Sequence, residues 1–88
     1  MLKLSTRTKL TPKQVVDKAL DFFGPGGYGL EVTDQGETCA SFEGGGGGVW
    51  VTTCEQEGMT TVDMEAREWE DEVKEFARKI KDGAKART

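Results

Sequence analysis

Between Tyr28 and Ala66 the chain consists of four short segments of alternating apolar and polar residues, separated by three turn signals. "YGLEVT" stops at "DQG", "ETCASFE" at the five glycines Gly44–Gly48, and "VWVTTC" at "EQEG", after which "MTTVDMEA" runs into a helical pattern. A period of two sends successive side chains to opposite faces of a sheet. Links this short join antiparallel neighbours, because a parallel pair needs a crossover of a dozen residues or more. An antiparallel meander is therefore the frame on which the rest of the chain must pack.

The flanks supply what packs on it. "LKLSTRTKL" also alternates and reads as a strand. "TPKQ" follows as a helix start, with Thr11 as cap, Pro12 at the first helical position and Gln14 closing a capping box. Val15, Val16, Ala19, Leu20, Phe22 and Phe23 then form an apolar stripe that Gly24-Pro25 ends. At the other end Trp69, Val73, Phe76, Ala77 and Ile80 recur at helical spacing, giving one apolar face. The order β-α-β-β-β-β-α predicts an α+β two-layer sandwich, an antiparallel sheet with both helices on one face. Residues 1–83 are expected to form a single domain closed by Gly83 as a helix cap, with 84–88 as a disordered tail.

Keeping apolar residues on one face suggests a register. Leu30 opposite Ala40, and Val32 opposite Thr38, leave Asp34-Gln35-Gly36 as a loop. Val51 opposite Val62, and Val49 opposite Met64, leave Glu55 to Gly58 as a turn. Phe42 then faces Val51, and Cys39 lies directly opposite Cys54 with Met59 beside it. Trp50 joins Cys39, Cys54 and Met59 as an apolar patch on an otherwise Thr- and Glu-covered outer face, the candidate interaction surface. The rival register, or a bulge, turns Trp50 inward beside Phe42.

The glycine run Gly44, Gly45, Gly46, Gly47, Gly48 lacks the following Lys-Ser/Thr of a phosphate loop and opens a strand, so no helix end meets an anion there. The reading it supports first is a flexible, loosely ordered hairpin tip. A flap over a ligand and an anion nest are the alternatives.

Composition excludes more than it names. The net charge is −4, with residues 1–20 carrying five basic groups against Asp17 alone, and Arg67 and Lys74 the only bases from 21 to 77. Basic ends around an acidic middle lack the basic stripe with interleaved aromatics of a nucleic-acid binder. They read as charge satisfied within the fold, with a weak anionic partner for the two ends as the alternative. No apolar run reaches the length of a membrane span, and Lys3 and Lys9 interrupt any signal segment. A cytoplasmic protein without membrane or nucleic-acid partners is expected.

There is no histidine, which removes the commonest general base and metal ligand. Two cysteines fifteen positions apart match neither a zinc site nor a C-x-x-C redox motif. They read as reduced thiols rather than a cross-strand disulfide. The acids Asp63, Glu65, Glu68, Glu70, Asp71 and Glu72 lack the glycine and oxygen spacing of a calcium loop. Several instead favour a helix N-terminus electrostatically. No cofactor, no metal and no enzymatic activity is expected.

A strand, a helix opened by "TPKQVV", an antiparallel meander and a long last helix resemble a reduced helix-grip fold of the Bet v 1/START-like superfamily, lacking a short helix and about two strands. The resemblance implies a small apolar ligand between sheet and last helix, lined by Trp69, Val73, Phe76, Ile80 and Phe42. Size opposes this. A cavity of ~300 Å³ costs on the order of 7 kcal/mol at ~24 cal/mol per Å³, against a total stability of about 5–15 kcal/mol. The preferred expectation is a small non-enzymatic protein-interaction domain, including the homodimer case, using the outer sheet face or the glycine-hairpin edge.

Overall fold

The computed structural model describes residues Leu2–Ile80. The elements are β1 (Leu2–Thr8), α1 (Pro12–Phe23), β2 (Glu31–Gln35), β3 (Cys39–Gly44), β4 (Gly47–Gln56), β5 (Met59–Arg67) and α2 (Glu70–Ile80). They form an α+β sandwich with one five-stranded antiparallel sheet in the order β1-β5-β4-β3-β2. The four meander strands lie side by side, and β1 closes the sheet by pairing with β5. Gly83 and residues 84–88, read as cap and tail, lie outside the described residues.

Helix α1 starts as its sequence dictates. Thr11 Oγ1 accepts from the Gln14 amide at 3.2 Å, and the Thr11 amide donates to Gln14 Oε1 at 2.9 Å. The helix ends where "GPGGYG" folds back on it. The amides of Gly24, Tyr28 and Leu30 donate to the carbonyls of Leu20, Phe22 and Phe23, so three of the four orphan acceptors of the last turn are met. Gly27 permits this return, since a Cβ there would lie 2.1 Å from the Phe22 carbonyl oxygen.

Both helices cover one face, α1 over β3 and β4, and α2 over β1 and β5. Between the layers lie Phe23, Phe42, Phe76, Leu30, Met64 and Ile80 with the valines, all essentially buried. An aromatic chain runs through this core. Phe42 meets Phe23 at 5.5 Å between centroids, Phe23 meets Phe76 at 5.3 Å, and Phe22 contacts both Phe76 and Tyr28. Tyr28 in turn lies 5.9 Å from Trp69, at the mouth of the sandwich.

The strand faces agree with the hydrophobic pattern, but the register differs from the expected one. Val51 pairs with Met64 rather than Val62, Val49 with Ala66 rather than Met64, and Phe42 with Val49 rather than Val51. Each is a slip of two residues, which leaves every side chain on its expected face. Turn chemistry decides between the two registers. Glu57 and Gly58 have φ of 52° and 82°, and Gly45 and Gly46 have 59° and 85°. Positive φ at both central positions is the requirement of a two-residue type I′ turn, whose twist matches the flanking strands. Both hairpins therefore close two residues tighter than a four- or five-residue loop would allow. In the first hairpin a bulge at Thr33 sets Val32 opposite Phe42 and Gln35 opposite Ala40, and the loop moves on to Gly36–Thr38.

Candidate functional site

With both helices on one side, the opposite face of the sheet has no second layer among the described residues. It carries Lys3, Ser5 and Arg7 from β1; Thr61, Asp63, Glu65 and Arg67 from β5; Trp50, Thr52 and Cys54 from β4; Cys39, Ser41 and Glu43 from β3; and Glu31 and Asp34 from β2. Trp50 stands near the middle, half-buried, between its cross-strand neighbours Glu65 and Ser41. Its placement has a local cause. Gly48 precedes it by two residues on the same face, and a Cβ on Gly48 would lie 3.0 Å from the Trp50 ring. The indole thus leans along the strand over bare glycine backbone, and Gly48 is buried beneath it. A large aromatic on a solvent-facing strand is explained first by this cover, which lowers the backbone exposure that glycine leaves.

The other patch residues lie on this face but do not assemble as expected. Cys39 pairs with Thr52 and Cys54 with Thr61, so the two thiols are diagonal rather than direct neighbours. Diagonal pairs stand about 7–8 Å apart, beyond the ~3.8 Å between Cβ atoms that a disulfide needs. Both are free thiols, Cys54 exposed and Cys39 half-buried. Met59 pairs with Gln56 at the turn, not with Cys54. The two-residue slip at each hairpin separates the cluster. Trp50 is left as the large apolar residue among polar ones.

At the hairpin end lies an open recess of about 460 Å³ bordered by Trp50, Glu31, Glu43, Arg67 and the glycine backbone. Glu31 and Glu43 are direct cross-strand partners, a like-charge pair, while Arg67 stands opposite Gly48 on the far side. The charge over the whole face is graded in the same direction. Lys3 and Arg7 lie at the β1 edge, and Glu31, Asp34 and Glu43 at the β2–β3 edge. Sequence reading did not single out Arg67, although its parity with Asp63 and Glu65 places it on this face.

The glycine run itself is a built hairpin rather than an open loop. Gly44 pairs with Gly47, and Glu43 with Gly48, around the Gly45-Gly46 turn. Trp69 Nε1 donates to the Gly44 carbonyl at 2.8 Å, and a Cβ on Gly45 would lie 3.0 Å from the Trp69 ring. A Cβ on Gly47 would strike the Arg67 carbonyl oxygen at 1.9 Å. Glycine at position 47 is required by close approach to backbone, and at position 45 by the positive φ of the turn, with the Trp69 ring close against it. Trp69, expected as a pocket wall, instead clamps the hairpin from the helical side.

The other expected pocket residues are core. Phe42, Val73, Phe76 and Ile80 are each at most 1% exposed, so their side chains fill the space between sheet and last helix. Phe76 and Ile80 border a shallow groove of about 290 Å³ between the helices, shared with Phe22, Lys18, Asp21 and Lys79. Tyr28 donates to Glu75 Oε1 at 3.3 Å beside it. Loss of water around the phenol, then the nearby Glu75 carboxylate, raise the Tyr28 pKa above its ordinary 10.0. Among the described residues no three His, Cys, Asp or Glu side chains gather as a metal site, and no helix is long and apolar enough to cross a membrane.

No protein-family model matches this chain, and no curated protein matches it.

Proposed function

We propose that this is a non-catalytic interaction domain whose open sheet face, centred on Trp50, is its docking surface. The observation that carries the reading is the one-sided sandwich. Among the described residues, five strands are covered by two helices on one face only, while the other presents a half-buried tryptophan within a ring of graded charge. An aromatic anchor with a polar, charged rim is the usual anatomy of an interface. Structural logic supports keeping the face open: Trp50 covers Gly48, and the charges around it are exposed rather than consumed in the core. The filled space around Phe42, Val73, Phe76 and Ile80 favours this reading over a ligand held between sheet and helix.

A photo-crosslinking residue in place of Thr52, at the centre of the face, tests it against the same residue in place of Lys18 on α1. Protein adducts, with a second copy or with another chain, are expected from position 52 and not from position 18. Adducts only from position 18, or none from either, would overturn the reading.

A further inference from the structure

We propose that the occupant of this face is a second copy of the chain, docked about a twofold axis that runs along β4. The inference rests on the reading of the sheet face as a docking surface and adds the partner and its orientation.

The argument is one of charge and register. Four rows cross the face, and two of them carry charge on both sides of β4: Lys3-Glu65-Trp50-Ser41-Asp34, and Arg67-Gly48-Glu43-Glu31. β4 is the third of five strands, so a twofold along it lays β1 of one copy over β2 of the other, and β5 over β3. The first row then sets Lys3 against the second copy's Asp34, Glu65 against its Ser41, and Trp50 against its Trp50. The second row sets Arg67 against the second copy's Glu43. Neither row brings like charges together, and each opposite-charge contact occurs twice by symmetry.

The other ways of pairing this sheet with itself do the reverse. A twofold lying across the strands at the level of Ser5 places β1 over β1, with Lys3 of each copy facing Arg7 of the other, and acid over acid at the opposite edge. Edge-to-edge pairing of β1 with β1 sets the same cations side by side, and like charges directly opposite are destabilising. Pairing of β2 with β2 joins two short, bulged, acidic edges, a form of strand that resists such addition.

Extent sets the strength. Five strands about 4.8 Å apart and some six residues long bury about 500 Å² per copy, or about 1,000 Å² in all, the low end of specific interfaces. The dimer is therefore weak and concentration-dependent, and it weakens with salt because its specificity is electrostatic. Sheet twist carries the outer strands away from alignment. The contact nearest the axis, Arg67 with Glu43, is accordingly the one to test.

Sedimentation of the full chain tests it with Arg67→Glu and Glu43→Arg. Both positions are exposed, so the fold is expected to survive, with circular dichroism as the control. Wild type is expected to move from monomer to dimer between about 1 μM and about 1 mM. Each variant alone is expected to lose self-association by tenfold or more, and an equimolar mixture to recover it. The mixed pair alone restores Glu against Arg in both symmetric contacts. An Arg67–Glu43 pairing within one chain would give no recovery on mixing. A wild type that stays monomeric at about 1 mM, variants that still self-associate, or a mixture that does not recover would each overturn the proposal. If wild type is monomeric while position 52 still crosslinks to another protein, the second copy is excluded and the docking face stands.

Discussion

The indole nitrogen of Trp69 donates a 2.8 Å hydrogen bond to the carbonyl of Gly44, twenty-five residues earlier in the chain. This bond ties the glycine hairpin to the segment entering α2. Through Tyr28 and Phe22 it is continuous with the aromatic core. The hairpin that borders the outer sheet face is thus fixed from the helical side.

Replacing Trp69 by Phe keeps most of the ring and deletes the donor. A loss of about 1 kcal/mol is expected, the usual worth of one hydrogen bond, read from urea unfolding. No measurable change would mean that water serves Gly44 equally well and that the clamp is a packing contact only.

The glycines are expected to differ sharply under substitution. Gly46→Asn meets nothing within 4 Å, and asparagine accepts the positive φ of this turn position. Its cost should stay below about 1 kcal/mol. Gly47→Ala drives a methyl into the Arg67 carbonyl and should cost about 1–3 kcal/mol or more, since backbone must move. Equal costs at the two positions would contradict the close approach of β5 to this hairpin.

Phe76 sits between Phe22 and Phe23 and is 1% exposed. Phe76→Ala should cost about 3–5 kcal/mol, enough to unfold much of so small a domain. A cost under about 1 kcal/mol would place it outside the core.

These positions show how far the sequence could be read. Element order, the capping box at Thr11 and the inward faces of β1, β3, β4 and β5 follow from periodicity and capping chemistry, which act over a few residues, whereas the bulge at Thr33 breaks the alternation in β2. The hairpin registers do not follow from these, because a slip of two residues keeps Val49, Val51, Val62 and Met64 on the same face. Only the conformation at Glu57-Gly58 and Gly45-Gly46 separates the alternatives, and glutamate at positive φ is a poor sequence signal. The outward position of Trp50 was legible, while the expected grouping of residues around it was not. Cys39, Cys54 and Met59 were grouped through the slipped register. The cover of Gly48 by Trp50, two residues apart on one face, was open to reading from spacing alone.

The corrected register has a chemical consequence. Mild oxidation of the monomer should leave both thiols titratable, since Cys39 and Cys54 are diagonal neighbours. The exposed Cys54 should label faster than the half-buried Cys39. A monomeric product without free thiols would favour direct opposition of the pair.

Tyr28 links the fold weakly to alkaline pH. Its pKa is raised in the folded chain, so the neutral phenol is the form the fold prefers. Its stabilising contribution is complete below the unfolded value of 10.0 and is lost as pH rises from there through the folded value. Ultraviolet titration should show a midpoint above 10.0, and Glu75→Gln should return it part of the way, with dehydration of the ring holding the remainder. A midpoint unmoved by Glu75→Gln would remove the carboxylate from the account.

The most direct test of the proposal that the outer sheet face docks on a second copy is the exposure of Trp50 itself. The chain has two tryptophans, so Trp69→Phe leaves Trp50 as the sole reporter. At about 1 μM its emission should be red-shifted and readily quenched by acrylamide. At about 1 mM it should shift to the blue and resist quenching as the second copy covers it. Emission that is blue and protected at the lowest concentration, or equally quenched throughout, would contradict the account.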